Sequence, residues 1–234
     1  MKEKMTRIAG MAMALGLMVL GAACGNQAAA TTMKLAGTEG ETFVRDEEKE
    51  LEPVADMNLY SGYLLGTEQE GYLWIDLDSV KLAKMDEESE IEIQKDGKKL
   101  EVIVNSGGVF FNVTEPLADD ETFEIRTSTM TVGIRGTCGW VKVFDETHMN
   151  VYILEGTVEC TVTDSKSGES KTEQVSGGEK AELHLYSAGE SSEGEKCDII
   201  KDELELNEIP FYILEELLAD EDLGKKINEA SDLQ

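Results

Sequence analysis

From Leu59 to Leu185 the apolar residues recur at every second position, in short runs broken by turn residues. A strand points alternate side chains to opposite faces, so this period commits the stretch to half-buried β-structure. Leu73, Ile75 and Leu77 share a face, as do Val80 and Leu82. Ile91 and Ile93 lead into a turn at Asp96-Gly97, followed by Leu100, Val102 and Val104, which is a hairpin pattern. The alternation continues through Val109, Phe111 and Val113, then Phe123 and Ile125, then Met130, Val132 and Ile134. It goes on through Val141 and Val143, Val151 and Ile153, then Val158, Cys160 and Val162, and closes at Ala181, Leu183 and Leu185. About ten short strands at turn-separated intervals predict an all-β sandwich or barrel, with residues 59–186 as the folded domain.

The N-terminus is different in kind. Lys2, Lys4 and Arg7 precede an uncharged run from Ile8 to Ala23 that ends at Cys24. A basic start, a short apolar stretch and small residues at a cut site describe a signal peptide over residues 1–23. The run is shorter than the roughly 20 residues of a membrane-spanning helix. Gly21, Ala22 and Ala23 before Cys24 resemble a bacterial lipobox, with Leu20 one place removed from the commonest leucine position. The resemblance implies cleavage before Cys24, a lipid on its thiol and a membrane-anchored lipoprotein. Residues 24–58 are small, polar and then acidic, and are expected to be a flexible tether.

Beyond the strands, residues 187–206 read as a polar linker. Residues 207–234 carry helical period: Phe211, Leu214, Leu217 and Leu218 form a stripe that Leu223 and Ile227 continue. Asn207 is a capping candidate and Pro210 is tolerated in a first helical turn. The expected role of this amphipathic segment is to pack back on the sheet; docking into a partner groove is the alternative.

One stretch breaks the strand pattern with charge. In "TVGIRGTCGWVKVF" Arg135 stands between two strand-like runs and is followed by Gly136 and Thr137. An arginine there either clips strand ends, by donating to carbonyls they leave open, or serves as a ligand group. The clip is the favoured reading. Gly136 would let the backbone turn, and Thr137 could hydrogen-bond locally.

"TSTMTVGIRGTCGWVKV", "NVYILEGTVECTV" and "SGGEKAEL" together resemble the FecR domain family. The sharpest motifs are Gly133–Thr137 and Leu154–Val158, the latter containing Gly156, and the likeness covers about residues 60–186. It implies an all-β, sandwich or β-helix-like domain. Founding members of that family are inner-membrane regulators: a cytoplasmic segment binds a sigma factor, and the outer domain receives a signal from an outer-membrane transporter. No cytoplasmic helical segment is expected before the signal, so the resemblance is taken to carry over the outer domain only, as an interaction or sensing module.

Other chemistry finds little support. The net charge is −28, and −30 once residues 1–23 and their three positive charges and one negative charge are gone. Such a surface repels nucleic acid and anionic lipid. There is no H-E-x-x-H, C-x-x-C or G-x-S-x-G motif, so no enzyme, metal or cofactor is expected. His148 falls in a turn and His184 at an outward strand position, both read as surface. Of the cysteines after Cys24, Cys138 and Cys160 miss register across the hairpin between them by about 10–16 Å at ~3.3 Å per residue. That is too far for a disulfide, which leaves a Cys138–Cys197 bridge or three buried thiols. The expected partner is an envelope protein, touched by Trp140 and Tyr152 if these point away from the core. The alternative is a carbohydrate or cell-wall ligand stacking on Tyr72 and Trp74.

Overall fold

A computed structural model of the chain describes residues 33–186 and 196–219. Cys24 and the signal segment, residues 187–195, and Leu223 and Ile227 lie outside the described residues.

The strands are β1 (Lys34–Glu39), β2 (Thr42–Asp46), β3 (Lys49–Leu51), β4 (Met57–Asn58), β5 (Tyr63–Thr67), β6 (Tyr72–Asp76), β7 (Lys81–Met85), β8 (Glu90–Asp96) and β9 (Lys99–Val113). They continue as β10 (Thr122–Arg126), β11 (Met130–Ile134), β12 (Cys138–Asp145), β13 (His148–Glu155), β14 (Thr157–Thr163), β15 (Ser170–Ser176), β16 (Glu179–Leu185) and β17 (Cys197–Glu203). A 3-10 turn at Leu206–Glu208 leads to helix α1, Phe211–Ala219. Among the described residues, no helix is long and apolar enough to cross a membrane.

These 17 strands form one hydrogen-bonded system that folds into two layers sharing β9. One layer runs β4-β1-β6-β7-β9-β12-β13-β16-β17. The other runs β3-β2-β5-β8-β9-β10-β11-β14-β15. The N-terminal half of β9 pairs with β8 and β10, and from Gly107 onward it pairs with β7 and β12. Only β9 and β10 run parallel; the other strand pairs are antiparallel. Successive hairpins alternate between layers: β10–β11 in one, β12–β13 in the other, then β14–β15 and β16–β17. Every hairpin can therefore turn one face inward, which is what period-two alternation requires.

The main core lies between the layers. It holds Ile75, Val141, Val151 and Leu183 from one side and Ile93, Val102, Ile125, Val132 and Val162 from the other, all fully buried. The Asp96-Gly97 turn forms where the pattern placed it, with Asp96 opposite Lys99. The inner face of β7 differs from expectation. Ala83 and Met85 enter the core, and Leu82 faces outward into a second cluster.

The sequence pattern undercounts the strands because both flanks join the sheet. Residues 24–58 were expected to be a flexible tether, yet from Lys34 they contribute β1 to β4. Their apolar residues are sparse but well placed. Met33, Leu35 and Val44 are buried, β1 pairs with β6, and β2 pairs with β5. Ladder hydrogen bonds to strands already present hold a segment whose own period is too weak to announce it. The expected polar linker 187–206 likewise contains β17, which pairs with β16 and buries Cys197 and Ile199.

Helix α1 packs on the outer face of the first layer. Ile209, Tyr212, Ile213 and Leu217 join Phe110, Cys138 and Trp140 in the second apolar cluster. The expected stripe is rotated: Phe211 and Leu218 are 74% and 80% exposed, and Tyr212 and Ile213 take the buried side. In "FYILEELLA" nearly every face is apolar, so periodicity cannot choose among them. Asn207 does not cap α1. The Pro210 carbonyl accepts from the Ile213 and Leu214 N–H groups, and Glu205 and Glu208 form a capping box around the preceding turn.

Candidate functional site: the Arg135 groove and the helix-covered face

Arg135 follows the last residue of β11. It is exposed, and among the described residues no hydrogen bond or ion pair engages its guanidinium. The strand-end clip is therefore not what the fold builds. The carbonyls it was expected to meet are already used by neighbouring strands. Val113 donates its N–H to the Thr137 carbonyl, and Gly177 donates to that of Gly156.

The motif's structural work falls to its glycines. Gly156 has φ +83°, and a Cβ there would lie 2.6 Å from the Gly136 carbonyl oxygen and 2.6 Å from Thr137 Cγ2. The turn after β13 thus presses on the turn after β11, and Gly156 has no room for a side chain. Gly136, at φ +123°, also needs a conformation that other residues avoid. Thr137 is 1% exposed, and its hydroxyl has no hydrogen-bond partner among the described residues, contrary to the local bond expected of it.

Arg135 lines a groove of about 440 Å³ on the outer face of the second layer. Gly133 lies between Glu124 on β10 and Glu159 on β14 as their direct cross-strand neighbour. Its missing side chain opens the floor there. Glu121, Glu124, Glu159 and Gln174 stand around the groove. The groove offers one unpaired bidentate donor among carboxylates.

The aromatic candidates lie elsewhere, and they are occupied. Trp140 does point away from the main core, as its alternation with Val141 requires, but α1 covers it. It is 3% exposed and stacks on Tyr152 with centroids 4.4 Å apart and planes 4° apart. It is therefore not an exposed contact residue, and Tyr152 is half-buried beneath the same cover. Trp74 donates its indole N–H to Glu216 of α1 at 2.7 Å. Tyr72 lies 5.9 Å from the Tyr212 ring.

Lys84, which no sequence motif marks, sits among these rings. It is 2% exposed. Its Nζ donates to the Tyr212 carbonyl at 3.1 Å and to Glu216 at 2.9 Å, and lies 4.5 Å from the Trp74 ring centroid. Charge, carbonyl and ring faces together satisfy a buried ammonium and fasten the helix to the sheet. A lysine at an outward position of a strand looks like ordinary surface; only the covering helix makes it otherwise.

The three cysteines among the described residues, Cys138, Cys160 and Cys197, are buried thiols. No Cys138–Cys197 bridge forms, because Cys138 packs under α1 and Cys197 packs in the main core. Cys138 stands opposite Glu155, well short of Cys160 along the chain, as the hairpin register implied. Burial, aided by the adjacent Glu159 charge, pushes the Cys160 thiol up to about 12.

Residues 64–159 match the family model described as FecR protein. Two crystal structures of a candidate anti-sigma factor from Parabacteroides distasonis ATCC 8503, at 1.65 Å and 2.50 Å resolution, are similar to the chain. Each is 16% identical to it, with a TM-score of 0.47, over 60% of this chain and 59% of theirs. The likeness thus spans less than two thirds of those proteins. No curated protein matches the chain. The matching segment runs from β5 into β14 and includes the Gly133–Thr137 motif and Gly156, so residues 64–159 form a FecR-like domain within this chain.

Proposed function

We propose that the protein is an extracytoplasmic lipoprotein, held to a bacterial membrane by lipid on Cys24. In this reading its FecR domain binds a protein partner in envelope signalling or assembly and performs no chemistry of its own. The observation that carries the proposal is the exposed, unengaged guanidinium of Arg135 beside a groove floored by Gly133. A planar donor fork held on the rigid end of a strand suits a partner carboxylate, and the surrounding glutamates suit basic or amide groups next to it. The family supports a regulatory role. The carbohydrate reading lacks a platform, since α1 engages Tyr72 and Trp74.

The test is affinity capture from native envelope extract, with the full chain and its Arg135→Glu variant as baits, eluted in salt steps. A protein that survives moderate salt on the wild type and is lost from the variant supports the proposal. Identical retention by both baits, or only salt-labile cationic proteins, overturns it, because the −28 charge alone would then account for capture. The anchor has its own test: metabolic labelling with a fatty-acid analogue should mark the wild type and spare Cys24→Ser.

A further inference from the structure

The chain has two histidines, and the fold sets them face to face. His148 opens β13, His184 lies near the end of β16, and the antiparallel register makes them direct partners. Their rings stack with centroids 4.4 Å apart and planes 21° apart. Phe144 stacks on His148 at 4.6 Å and Tyr186 on His184 at 5.6 Å, so both imidazoles are held within a row of four rings.

The next outward-facing pair on the same two strands is Asn150 opposite Glu182. His148 Nε2 lies 3.0 Å from Asn150 Oδ1, and His184 Nε2 lies 3.4 Å from Glu182 Oε2. Both ring nitrogens therefore point the same way along the sheet, toward one pair of oxygen donors. The donor atoms of His148, Glu182 and His184 all lie within 4.8 Å of one another, on half-buried side chains. Cross-strand stacking alone would stabilise the sheet, but it does not require the two nitrogens to share a direction or a carboxylate to meet them.

We propose that His148, His184 and Glu182 bind a single transition-metal dication of the zinc class, with Asn150 Oδ1 beside it as a further oxygen donor. Two imidazoles and one carboxylate are a borderline nitrogen-oxygen set, which suits zinc, nickel or copper better than calcium or magnesium. Tetrahedral bonds of 2.0–2.1 Å hold donors roughly 3.4 Å apart, the separation His184 and Glu182 already have. His148 completes the set by exchanging its Asn150 contact for the metal. Asp198, directly opposite His184 on β17, is already paired with Lys171 at 2.6 Å and is not counted among the donors. The site lies on the outer face of the first layer and would tie β13 to β16.

With only two histidines, ring nitrogen resonances of the full chain, labelled with 15N-histidine and kept in detergent, report on this site alone. The titrant is zinc chloride, with millimolar magnesium present to fill weak carboxylate sites. The expected result is that one equivalent of zinc shifts both Nε2 signals together. Glu182→Gln, whose side chain is 46% exposed and whose fold is checked by its metal-free melt, should weaken the titration at least tenfold. If both rings stay unmoved at stoichiometric zinc, if only one moves, or if Glu182→Gln titrates as the wild type does, the proposal is wrong.

Discussion

Lys84 and Arg135 both sit on or beside outward faces of the sheets, and the fold treats them in opposite ways. Lys84 is roofed by α1, with its ammonium shared among a carbonyl, a carboxylate and aromatic faces. Both residues lie within the family segment, but Arg135 stands in its Gly133–Thr137 motif and is open to solvent. A cation with no motif around it thus became part of the fold, and a cation inside the motif was left available. A motif charge should not be given a structural task before every neighbouring acceptor has been accounted for.

The contrast can be pressed by mutation, and the covered face should respond most. Trp140→Ala empties a fully enclosed indole site and breaks its stack on Tyr152. Unfolding by denaturant should show a loss of about 3–5 kcal/mol. Lys84→Ala takes the ammonium from the Tyr212 carbonyl and leaves the Glu216 charge with only the Trp74 N–H beside it, and should cost about 3 kcal/mol. Lys84→Met, which keeps the stem and removes the charge, should recover part of that loss when paired with Glu216→Gln. A wild-type melt for Lys84→Ala would mean that α1 is not fastened there.

Under the motif, Thr137→Val replaces a buried hydroxyl that has no partner by a methyl of similar shape. It should be neutral or stabilise by about 1 kcal/mol, against the usual direction of motif substitutions. A clear loss of stability would show that the hydroxyl is satisfied in solution.

The loop after β14 supplies a test with acid. Asp164 accepts from the Ser167 hydroxyl and the Lys166 N–H and faces Lys196, which together hold its carboxyl down at about 2. Its folded value lies below the ordinary carboxylate value near 3.9, so its stabilising effect is complete above about pH 4 and lost as pH falls through about 2. Asp164→Asn should therefore melt below the wild type at neutral pH, and the gap should close between about pH 4 and pH 2. A gap independent of pH would assign the loss to packing instead.

How much of this was legible in the sequence depends on where a residue finds its partner. Alternation alone located most strands from β6 to β16, since Ile75, Val132 and Leu183 need only a face. It missed β1 and β17, whose few apolar residues make sense only beside β6 and β16. It identified the family through Gly133–Thr137 and Gly156, yet assigned Arg135 to a clip whose acceptors were already taken. It allowed Trp140 to point away from the core and offered it as an exposed contact, and could not see that α1 covers that side. The pairing of His148 with His184 was invisible because it joins two hairpins that are not consecutive partners, and each histidine alone looks like surface.

Whether Arg135 is free of structural duty can be read from the unfolding free energy of Arg135→Ala beside the wild type. The expected difference is below about 0.5 kcal/mol, as for an exposed residue without partners. A loss above about 1 kcal/mol, with a melt lowered by several degrees, would restore the arginine to the fold and remove the basis for the groove as a binding site.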